Sequence, residues 1–276
     1  MTCGQMIKFS LSKLVVECFG TFMLTLFFYG NSQAILLAGL WILIVFAWKI
    51  SGSHFNPAIT AAYMFRRDSK VFPKTLGIAY IVAQVAGAFL AALVLVFFTN
   101  NHVAKMALVR HCYLNSTGQE VYCYSGACTI NNLCEEKVWY FRAIVQEALG
   151  GFICVLFFMM QTDEKMFFSR EKAINCFIIA SSYIAARAMF NGTAGAVNSV
   201  SVFGACLNPA IALGLILGAL FNGSYGTNAF TTLWLYPVMP FAGSVLALLF
   251  YEFVYKKTTE TLEHDAVHED DGILDN

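Results

Sequence analysis

The chain has 276 residues, of which 58% are hydrophobic and 12% are charged, and its mean hydropathy is +0.64. Because a soluble globular domain carries about a quarter charged residues, this composition excludes an ordinary soluble domain and predicts a surface that faces lipid. The formal net charge is zero, so the chain lacks the positive field that attracts nucleic acid, and nucleic-acid binding is excluded.

Six apolar segments are predicted to cross a membrane as helices, since a crossing takes about 20 predominantly apolar residues. They comprise residues 14–30, 34–49, 76–98, 140–160, 173–190 and 230–255. Two further apolar stretches, residues 56–65 and 208–220, are too short to cross, and each begins with Asn-Pro-Ala. Asn is preferred just before a helix, and Pro fits its first position. We therefore predict two re-entrant half-helices, whose flanking backbone is tolerated at membrane depth only around a pore or a binding site.

The distribution of Lys and Arg predicts the orientation of these segments, because basic residues concentrate in cytoplasmic loops. With both termini in the cytoplasm, twelve of the 17 basic residues are cytoplasmic. These are Lys8, Lys13, Lys49, Arg66, Arg67, Lys70, Lys74, Lys165, Arg170, Lys172, Lys256 and Lys257. Both the plasma membrane and an endomembrane stay open as the location.

Three N-glycosylation sequons begin at Asn115, Asn191 and Asn222, and all three fall in loops on the non-cytoplasmic side of this arrangement. The tripeptide is common, so chance is the alternative to glycosylation at these sites.

Four cysteines share the predicted non-cytoplasmic loop at residues 99–138: Cys112, Cys123, Cys128 and Cys134. An even number of cysteines in an oxidising compartment predicts disulfides, here two, and three pairings are open. Four free thiols are the alternative.

The two halves of the chain repeat each other. The stretch ECFGTF, which begins at Glu17, matches EALGGF, which begins at Glu147, and Asn-Pro-Ala-Ile occurs once in each half. We place the first repeat at residues 14–98 and the second at residues 139–255. The polar, acidic tail at residues 258–276 is predicted to be disordered.

Each repeat holds three crossings, so the second repeat must be inverted in the membrane. Inverted repeats place the functional site near the midplane, where the repeats meet. The predicted fold is an all-α membrane protein with six transmembrane helices plus two re-entrant half-helices, in a single domain over residues 1–276.

Two stretches around the Asn-Pro-Ala motifs, SGSHFNPAIT at residues 51–60 and GACLNPAIALG at residues 204–214, resemble the signatures of the aquaporin, or major intrinsic protein, family. ECFGTF, YIVAQVAGA at residues 80–88 and LYPVMPFAG at residues 235–243 are also similar to motifs of that family, and the likeness covers residues 14–255. The resemblance implies a homotetramer of passive water channels in membrane lipid, with small uncharged solutes such as glycerol, urea or peroxide as further candidates. It implies no cofactor and no bound metal.

One position departs from the family pattern. Most members carry Arg directly after the second Asn-Pro-Ala, where it forms part of an outer filter, whereas this chain has Ile211. An apolar residue there is similar to the unorthodox branch called super-aquaporins, although that branch usually alters its first motif, which is intact here. Because Ile211 supplies neither a donor nor a charge, we expect a wider and less selective pore. A narrow, dry and slow pore is the alternative.

The predicted centre of the pore is formed by the two Asn-Pro-Ala motifs: Asn56, Pro57, Ala58, Asn208, Pro209 and Ala210. Their asparagine amides are expected to donate hydrogen bonds to a passing solute, while the positive ends of the half-helix dipoles oppose cations. N-capping is the structural alternative. One amide can do both, because it has two donor hydrogens besides its acceptor oxygen.

Glu17 and Glu147 are carboxylates inside predicted crossings, where ionisable residues are functional by default. The start of each half-helix leaves backbone N–H groups that need acceptors. We therefore interpret both carboxylates as structural, together with Gln84, and a proton relay is the alternative.

The loops before the two motifs supply further pore-lining candidates. His54 either lines the pore or braces its loop. The backbone carbonyls of residues 52–55 and 204–207 are expected to face a file of water, because buried carbonyls need donors. Ala205 and Cys206 belong to the second of these loops.

The outer filter is predicted from spacing along the chain. Counting back from the first motif gives Leu36, or Ala38 if the loop is longer. On the fifth crossing, counting from the start of the segment gives Arg187, and counting back from the second motif gives Ala196. Ile211 completes the filter. The alternative for Arg187 is a side chain that extends from a helix end to the membrane interface.

Three other functions compete with a passive channel. A coupled transporter also suits inverted repeats and broken helices, but it needs an ion-coordinating midplane, and only Glu17 and Glu147 are candidates. A non-conducting protein on the same scaffold stays open because the filter Arg is missing. An enzyme is excluded, because the sequence has neither metal-ligand spacing nor a nucleophile constellation.

Overall fold

The structure is a computed structural model of the chain and describes residues 3–29, 32–67, 72–98, 113–114, 120–124, 127–130, 136–189, 205–221 and 232–262. Seven of the residues named above lie outside these ranges: Lys70, Cys112, Asn115, Cys134, Asn191, Ala196 and Asn222. The predictions that concern them stay predictions.

Within the described ranges the chain forms eight α-helices. They are α1 (Cys3–Tyr29), α2 (Gln33–Ala47), α3 (Pro57–Phe65), α4 (Lys74–Phe98), α5 (Glu136–Thr162), α6 (Lys172–Ala188), α7 (Pro209–Phe221) and α8 (Met239–Phe250). A π-helical turn, Tyr251–Tyr255, continues α8, and helix then runs to residue 262. In the described part, three helical stretches are long and apolar enough to cross a membrane: Ser10–Tyr29, Lys74–Phe98 and Ala143–Thr162. Six long helices and two short ones confirm the predicted all-α body.

The start of the last long helix differs from the prediction. The prediction begins this crossing at residue 230, whereas α8 begins at Met239 after a series of turns over residues 232–238. Pro237 and Pro240 explain the late start. Proline lacks a backbone N–H, and it disfavours the helical conformation in the residue before it.

The predicted loop at residues 99–138 contains short strands that the sequence analysis does not anticipate. They are β1 (Tyr113–Leu114), β2 (Glu120–Tyr124) and β3 (Ala127–Ile130), paired antiparallel in that order. Cys123 on β2 is the backbone partner of Cys128 on β3. Paired residues of antiparallel strands have Cα atoms about 4.5–5.5 Å apart, which is within the range that a disulfide spans.

The two halves of the chain pack by the same plan. In the first half α1 packs against α4 and α2, and in the second half α5 packs against α8 and α6. The two short helices cross between the halves, since α3 packs against α8 as well as α4, and α7 packs against α4. Each half therefore helps to hold the short helix of the other.

Two glycines at equivalent positions allow the long helices to touch. A Cβ on Gly87 of α4 would overlap the backbone carbonyl of Cys18 on α1, and a Cβ on Gly243 of α8 would overlap that of Ala148 on α5. Close contact of helix backbones through small residues is typical of helix packing in membranes. The repeat in sequence thus produces the same tight helix pair in each half.

A polar cluster at one end of the bundle joins α3, α5 and the π-helical turn. Arg66, at the C-terminus of α3, donates from Nη2 to Oδ2 of Asp163 at 2.8 Å, and the Tyr251 hydroxyl donates to the same oxygen at 2.6 Å. The guanidinium carbon of Arg66 lies 5.3 Å from the ring centres of both Tyr63 and Tyr251. The Tyr63 hydroxyl also bonds to the Thr162 hydroxyl. We call these five residues the Arg66 cluster.

Asp163 carries the pH dependence of this cluster. Burial raises the pKa of its carboxyl, but hydrogen bonds from Tyr251 and the Lys165 backbone N–H and the charge of Arg66 outweigh burial, so its pKa lies below the ordinary value. The other carboxylate facing Arg66 is Glu252, whose Oε1 lies 3.9 Å from Nε. A depressed folded pKa stabilises the folded state above the unfolded pKa, about 3.9, and this contribution is lost as pH falls through the folded pKa.

Replacing Asp163 with Asn should therefore lower the thermal unfolding midpoint of the detergent-solubilised chain near neutral pH. It should also reduce the further loss of stability that the unchanged chain suffers below about pH 4, because Asn does not titrate. Thermal unfolding over a pH series measures both effects. The exposed neighbour Glu164 provides a matched control as Glu164→Gln. Equal acid sensitivity of the Asp163→Asn variant and the unchanged chain would contradict this role.

Candidate functional site

The loop that leads into α3 is held by the carboxylate of Glu17, which is fully buried on α1. Its Oε1 accepts hydrogen bonds from Ser51 Oγ at 2.6 Å and from the His54 N–H at 3.0 Å. Its Oε2 accepts from the Phe55 N–H at 2.7 Å and from Gln84 Nε2 at 2.8 Å. A buried charge is tolerated only where it is well hydrogen-bonded. The four donors therefore stabilise the carboxylate, and the carboxylate in turn holds the loop in position.

The loop that leads into α7 is held by Glu147 on α5 in a similar way. Its Oε1 accepts from the Cys206 N–H at 2.6 Å and its Oε2 from the Leu207 N–H at 2.7 Å. Each carboxylate thus accepts two consecutive backbone N–H groups just before an Asn-Pro-Ala motif. Glu17 additionally accepts from two side chains.

Asn56 and Asn208 cap the half-helices that follow them. The Asn56 Oδ1 accepts from the Ala58 N–H at 2.8 Å, and the Asn208 Oδ1 accepts from the Ala210 N–H at 3.0 Å. This is the usual geometry of an asparagine N-cap, in which the side-chain oxygen binds one of the otherwise unpaired N–H groups of the first turn. Pro57 and Pro209 fill the first helical positions, where no N–H is needed.

A reciprocal pair of hydrogen bonds joins the two half-helices at their N-termini. The Asn56 Nδ2 donates to the Leu207 carbonyl at 2.9 Å, and the Asn208 Nδ2 donates to the Phe55 carbonyl at 2.8 Å. Phe55 and Leu207 have φ values of 48° and 56°, a left-handed conformation that is uncommon for residues other than glycine. Such strain persists only where the surroundings impose it. Here a carboxylate binds the N–H of each residue and an amide binds its carbonyl.

A small cavity lies where these loops meet, and both asparagines are in its wall. The wall comprises Leu24, Leu40, Ile44, Ser53, His54, Asn56, Ile59, Cys154, Phe158, Ile179, Tyr183 and Asn208. An amide nitrogen carries two hydrogens. Because each asparagine uses one on the opposite carbonyl, each retains one for a molecule in the cavity. A mainly apolar wall with a few polar groups is typical of a small-molecule site.

The carbonyls of the second loop already have protein donors. The Ala205 carbonyl accepts from Arg187 Nη1 at 2.5 Å, the Cys206 carbonyl from the Tyr183 hydroxyl at 2.8 Å, and the Leu207 carbonyl from the opposite asparagine. The expectation that these carbonyls depend on water is therefore revised. A carbonyl has two lone pairs, so each keeps one site for water.

His54 both lines the cavity and is enclosed by aromatic rings. Its ring centre lies 4.7, 5.1, 5.5 and 5.6 Å from those of Tyr63, Phe72, Tyr80 and Phe158. Its Nδ1 is 3.1 Å from the Thr60 hydroxyl. Tyr63 also belongs to the Arg66 cluster, which therefore positions one of the four rings around His54.

Two of the predicted filter residues, Leu36 and Arg187, are buried one helical turn from residues of the cavity wall but are not part of that wall. Leu36 on α2 is buried one turn beyond Leu40 of the cavity wall. Arg187, in the last turn of α6, is only 1% exposed, so its side chain does not extend to a membrane interface. Its guanidinium carbon lies 4.1 Å from the ring centre of Phe28 on α1 while Nη1 bonds to Ala205.

Two other filter candidates do not belong to the cavity wall. Cys206 is buried, and its thiol donates to the Asn208 carbonyl at 3.4 Å. Ile211 is buried in the first turn of α7, and its N–H lies 3.5 Å from the Asn208 Oδ1.

The sequence analysis missed most of the apolar cavity wall and also three residues around Arg187 and the second loop. The Phe28 ring contacts the Arg187 guanidinium, the Tyr183 hydroxyl donates to the Cys206 carbonyl, and Gln146 donates from Nε2 to the Arg187 backbone carbonyl at 3.1 Å. A signal existed for Tyr183, because it lies four residues before Arg187 and therefore on the same helix face. Phe28 is one of 26 phenylalanines, and nothing in its local sequence distinguishes it.

Comparisons with known proteins agree on one family. The family model described as "Major intrinsic protein" matches residues 5–251. The glycerol uptake facilitator protein of Buchnera aphidicola is 27% identical over 176 residues, which is 63% of this chain and 63% of that protein. Aquaporin-6 of Rattus norvegicus is 25% identical over 217 residues, 78% of this chain and 62% of that protein. The chain thus matches less than two thirds of the length of these two relatives.

Two further comparisons cover more of both chains. Nodulin-26 of Glycine max is 28% identical over 262 residues, which is 88% of this chain and 78% of that protein. The X-ray structure of the aquaglyceroporin from Plasmodium falciparum superimposes with a TM-score of 0.63 at 19% identity, over 91% of this chain and 99% of that one. At that identity the superposition establishes the fold.

The carboxylates allow a graded test of the site. Glu147→Gln and Glu17→Gln should each destabilise the chain, because Gln offers one acceptor oxygen where the loop presents two N–H groups. Hydrogen bonds to charged groups contribute about 1.5–3 kcal/mol each. Glu17 accepts four such bonds and Glu147 accepts two, so Glu17→Gln should lower the thermal unfolding midpoint more than Glu147→Gln does. The exposed Glu260→Gln is the control. Two variants as stable as this control would refute the assignment.

Proposed function

The chain belongs to the major intrinsic protein family, and from this premise we propose that it is a passive transmembrane channel for water, with glycerol, urea and peroxide as further solutes. One observation carries the proposal. Asn56 and Asn208 both line one cavity, and each keeps an amide hydrogen after bonding to the opposite loop. A water molecule that reaches this point finds two donors in an otherwise largely apolar wall.

The direction of these donors determines what passes. Water between two amide donors presents its oxygen to both, and its hydrogens then point along the pore toward carbonyl lone pairs. The N-termini of α3 and α7 meet at the same point, and each contributes a partial positive charge of about half an elementary charge. A cation would face this potential in a cavity whose described wall contains no carboxylate, as is general for aquaporin-type pores. Neutral hydrogen-bonding solutes are not repelled by this positive potential.

The bonding of the two buried carboxylates supports passive conduction over coupled transport. A coupled transporter needs a carboxylate that binds and releases an ion during the cycle. Both oxygens of Glu17 and both of Glu147 accept backbone N–H groups or side-chain donors. Protonation would unbind the loops that shape the pore, so these groups suit a structural role.

The names of the relatives support the choice of solutes. They include a glycerol uptake facilitator and several aquaporins. Water and small polyols share the property that the site requires, because both carry hydroxyl oxygens that accept from an amide and hydroxyl hydrogens that donate to a carbonyl.

Reconstituted vesicles test the proposal directly. Proteoliposomes with the full chain should shrink faster than empty vesicles after an osmotic step, as measured by stopped-flow light scattering. Cys154→Trp places a large side chain at the cavity wall and should lower water permeability toward that of empty vesicles. Val82→Trp, on the exposed face of α4, should not lower it. Gradients of glycerol, urea and peroxide identify the further solutes. Wild-type vesicles no faster than empty ones would end the proposal.

We also propose that both termini are cytoplasmic, because twelve of 17 basic residues then lie inside. Cysteines engineered into the tail at residues 258–276 should react with an impermeant reagent only from the cytoplasmic side, and those at residues 99–138 only from the other. Labelling of both from one side would contradict the inverted arrangement. The family further supports a homotetramer in membrane lipid, which native mass spectrometry would detect as a four-chain species.

A further inference from the structure

Basic side chains and aromatic rings alternate along the surface next to the Arg66 cluster. Lys74 Nζ, at the start of α4, lies 5.2 Å from the ring centre of Phe65, the last residue of α3. The guanidinium carbon of Arg67 lies 5.4 Å from the ring centre of Phe253, and Lys257 Nζ lies 5.7 Å from that same centre. We call these five residues the basic row.

The basic row lies where the apolar exposed face of α8 ends. The exposed side chains of α8 and the π-helical turn include six large apolar ones, each 40–56% exposed: Val245, Leu246, Leu249, Phe250, Phe253 and Val254. The helix that continues the turn starts with Lys256 and Lys257. A change from apolar to basic side chains along an exposed helix is typical of the boundary between hydrocarbon and lipid headgroups. The cations of the row are therefore expected at headgroup level.

The three cations of the basic row are exposed, and they make no ion pair with any described residue. The neighbouring Arg66 does pair, with Asp163 and, at longer distance, with the buried Glu252. Two further acidic residues follow on these elements. Asp68 lies outside the described residues, and Glu260 is exposed toward the tail. The structure thus places three cations at the boundary without a described carboxylate bound to them.

Arg67 and Lys257 come close together because both contact the ring of Phe253. Two like charges repel each other, and an anion bound between them would replace this repulsion with attraction. The position of Arg67 is well determined, because the preceding Arg66 is bound to Asp163 at 2.8 Å. The site for an anion is therefore largely formed before the anion binds.

The structural alternative assigns these cations to α3 alone. This half-helix ends at Phe65, and the C-terminal end of a helix carries a partial negative charge that nearby cations stabilise. In that case the cations of the row would balance the helix dipole and would not select any lipid.

We propose that the basic row binds the headgroup of an anionic phospholipid, with the phosphate between Arg67 and Lys257 and the acyl chains along the apolar face of α8. Guanidinium and ammonium groups form strong charge-assisted hydrogen bonds with phosphate. A zwitterionic lipid carries its own cation, so it satisfies the unpaired charges of the row less well. The proposed orientation places this row on the cytoplasmic side, where anionic lipids attract basic segments. The inference concerns lipid binding and goes beyond the proposed channel function.

Lipid titrations of the detergent-solubilised full chain, followed by native mass spectrometry, test the proposal. The unchanged chain should bind phosphatidylserine about tenfold more tightly than phosphatidylcholine, a factor that corresponds to about 1.4 kcal/mol. The double variant Arg67→Gln/Lys257→Gln should lose this preference. Lys165→Gln is the matched control, because Lys165 is an exposed cation two residues from Asp163 and outside the row. This control should bind both lipids as the unchanged chain does.

Three results would overturn the proposal. Equal binding of the two lipids by the unchanged chain would do so whether or not the double variant folds. A folded double variant that retains the preference would show that the cations serve only α3. Equal loss in the double variant and in Lys165→Gln would show that the preference reflects overall charge and not this row.

A competition with inorganic phosphate distinguishes a lipid site from a site for a soluble anion. Phosphate lacks acyl chains to contact the apolar face of α8, so it should not displace bound phosphatidylserine at equal concentration. Displacement would assign the row to soluble anions and contradict a lipid site. None of these measurements requires water conduction, so a failure of the channel function would be seen separately in the vesicle assay.

Discussion

Backbone that leaves helical geometry inside a membrane must find every hydrogen-bond partner within the protein, and this constraint organises the whole molecule. Glu17 and Glu147 meet it by accepting consecutive N–H groups from the two loops before the half-helices. The asparagines meet it by bonding to the carbonyl of the opposite loop. Without these acceptors and donors neither loop could stay extended, the half-helices would not meet, and no cavity would form between them.

The same hydrogen bonds leave a few donors and acceptors of the loops unpaired and able to bind a solute. Each asparagine amide retains one hydrogen and each loop carbonyl retains one lone pair, so the interior offers a sparse line of donors and acceptors in an apolar wall. This row of donors and acceptors suits neutral molecules that pass one at a time and exchange one hydrogen-bond partner for the next. Arg187 is buried against Phe28 and bonded to Ala205, and the Arg66 cluster includes Tyr63, one of the rings around His54.

Local patterns in the sequence predicted the parts of this account that depend on neighbours along the chain. Segment hydropathy located the six long helices, and Asn-Pro-Ala located the starts of α3 and α7, because capping is a local preference. Partners far apart in sequence were not predictable in the same way. The bond from Asn56 to Leu207 spans 151 residues, and the contact between Arg187 and Phe28 depends on the relative rotation of two helices. For Arg187, spacing left two positions open, and burial against Phe28 argues for one of them. The strands β1–β3 were missed because residues 99–138 were interpreted only as a loop, although β2 carries Val and Tyr, which favour strands.

The central claim is that the two asparagines present amide donors to water in a shared cavity. A cryo-EM structure of the chain in lipid nanodiscs, at a resolution that shows ordered water, tests this most directly. The account predicts water density within about 3 Å of the Nδ2 atoms of both Asn56 and Asn208, with the bonds to Leu207 and Phe55 still present. A dry cavity, or amides whose hydrogens are all bonded to protein, would contradict it.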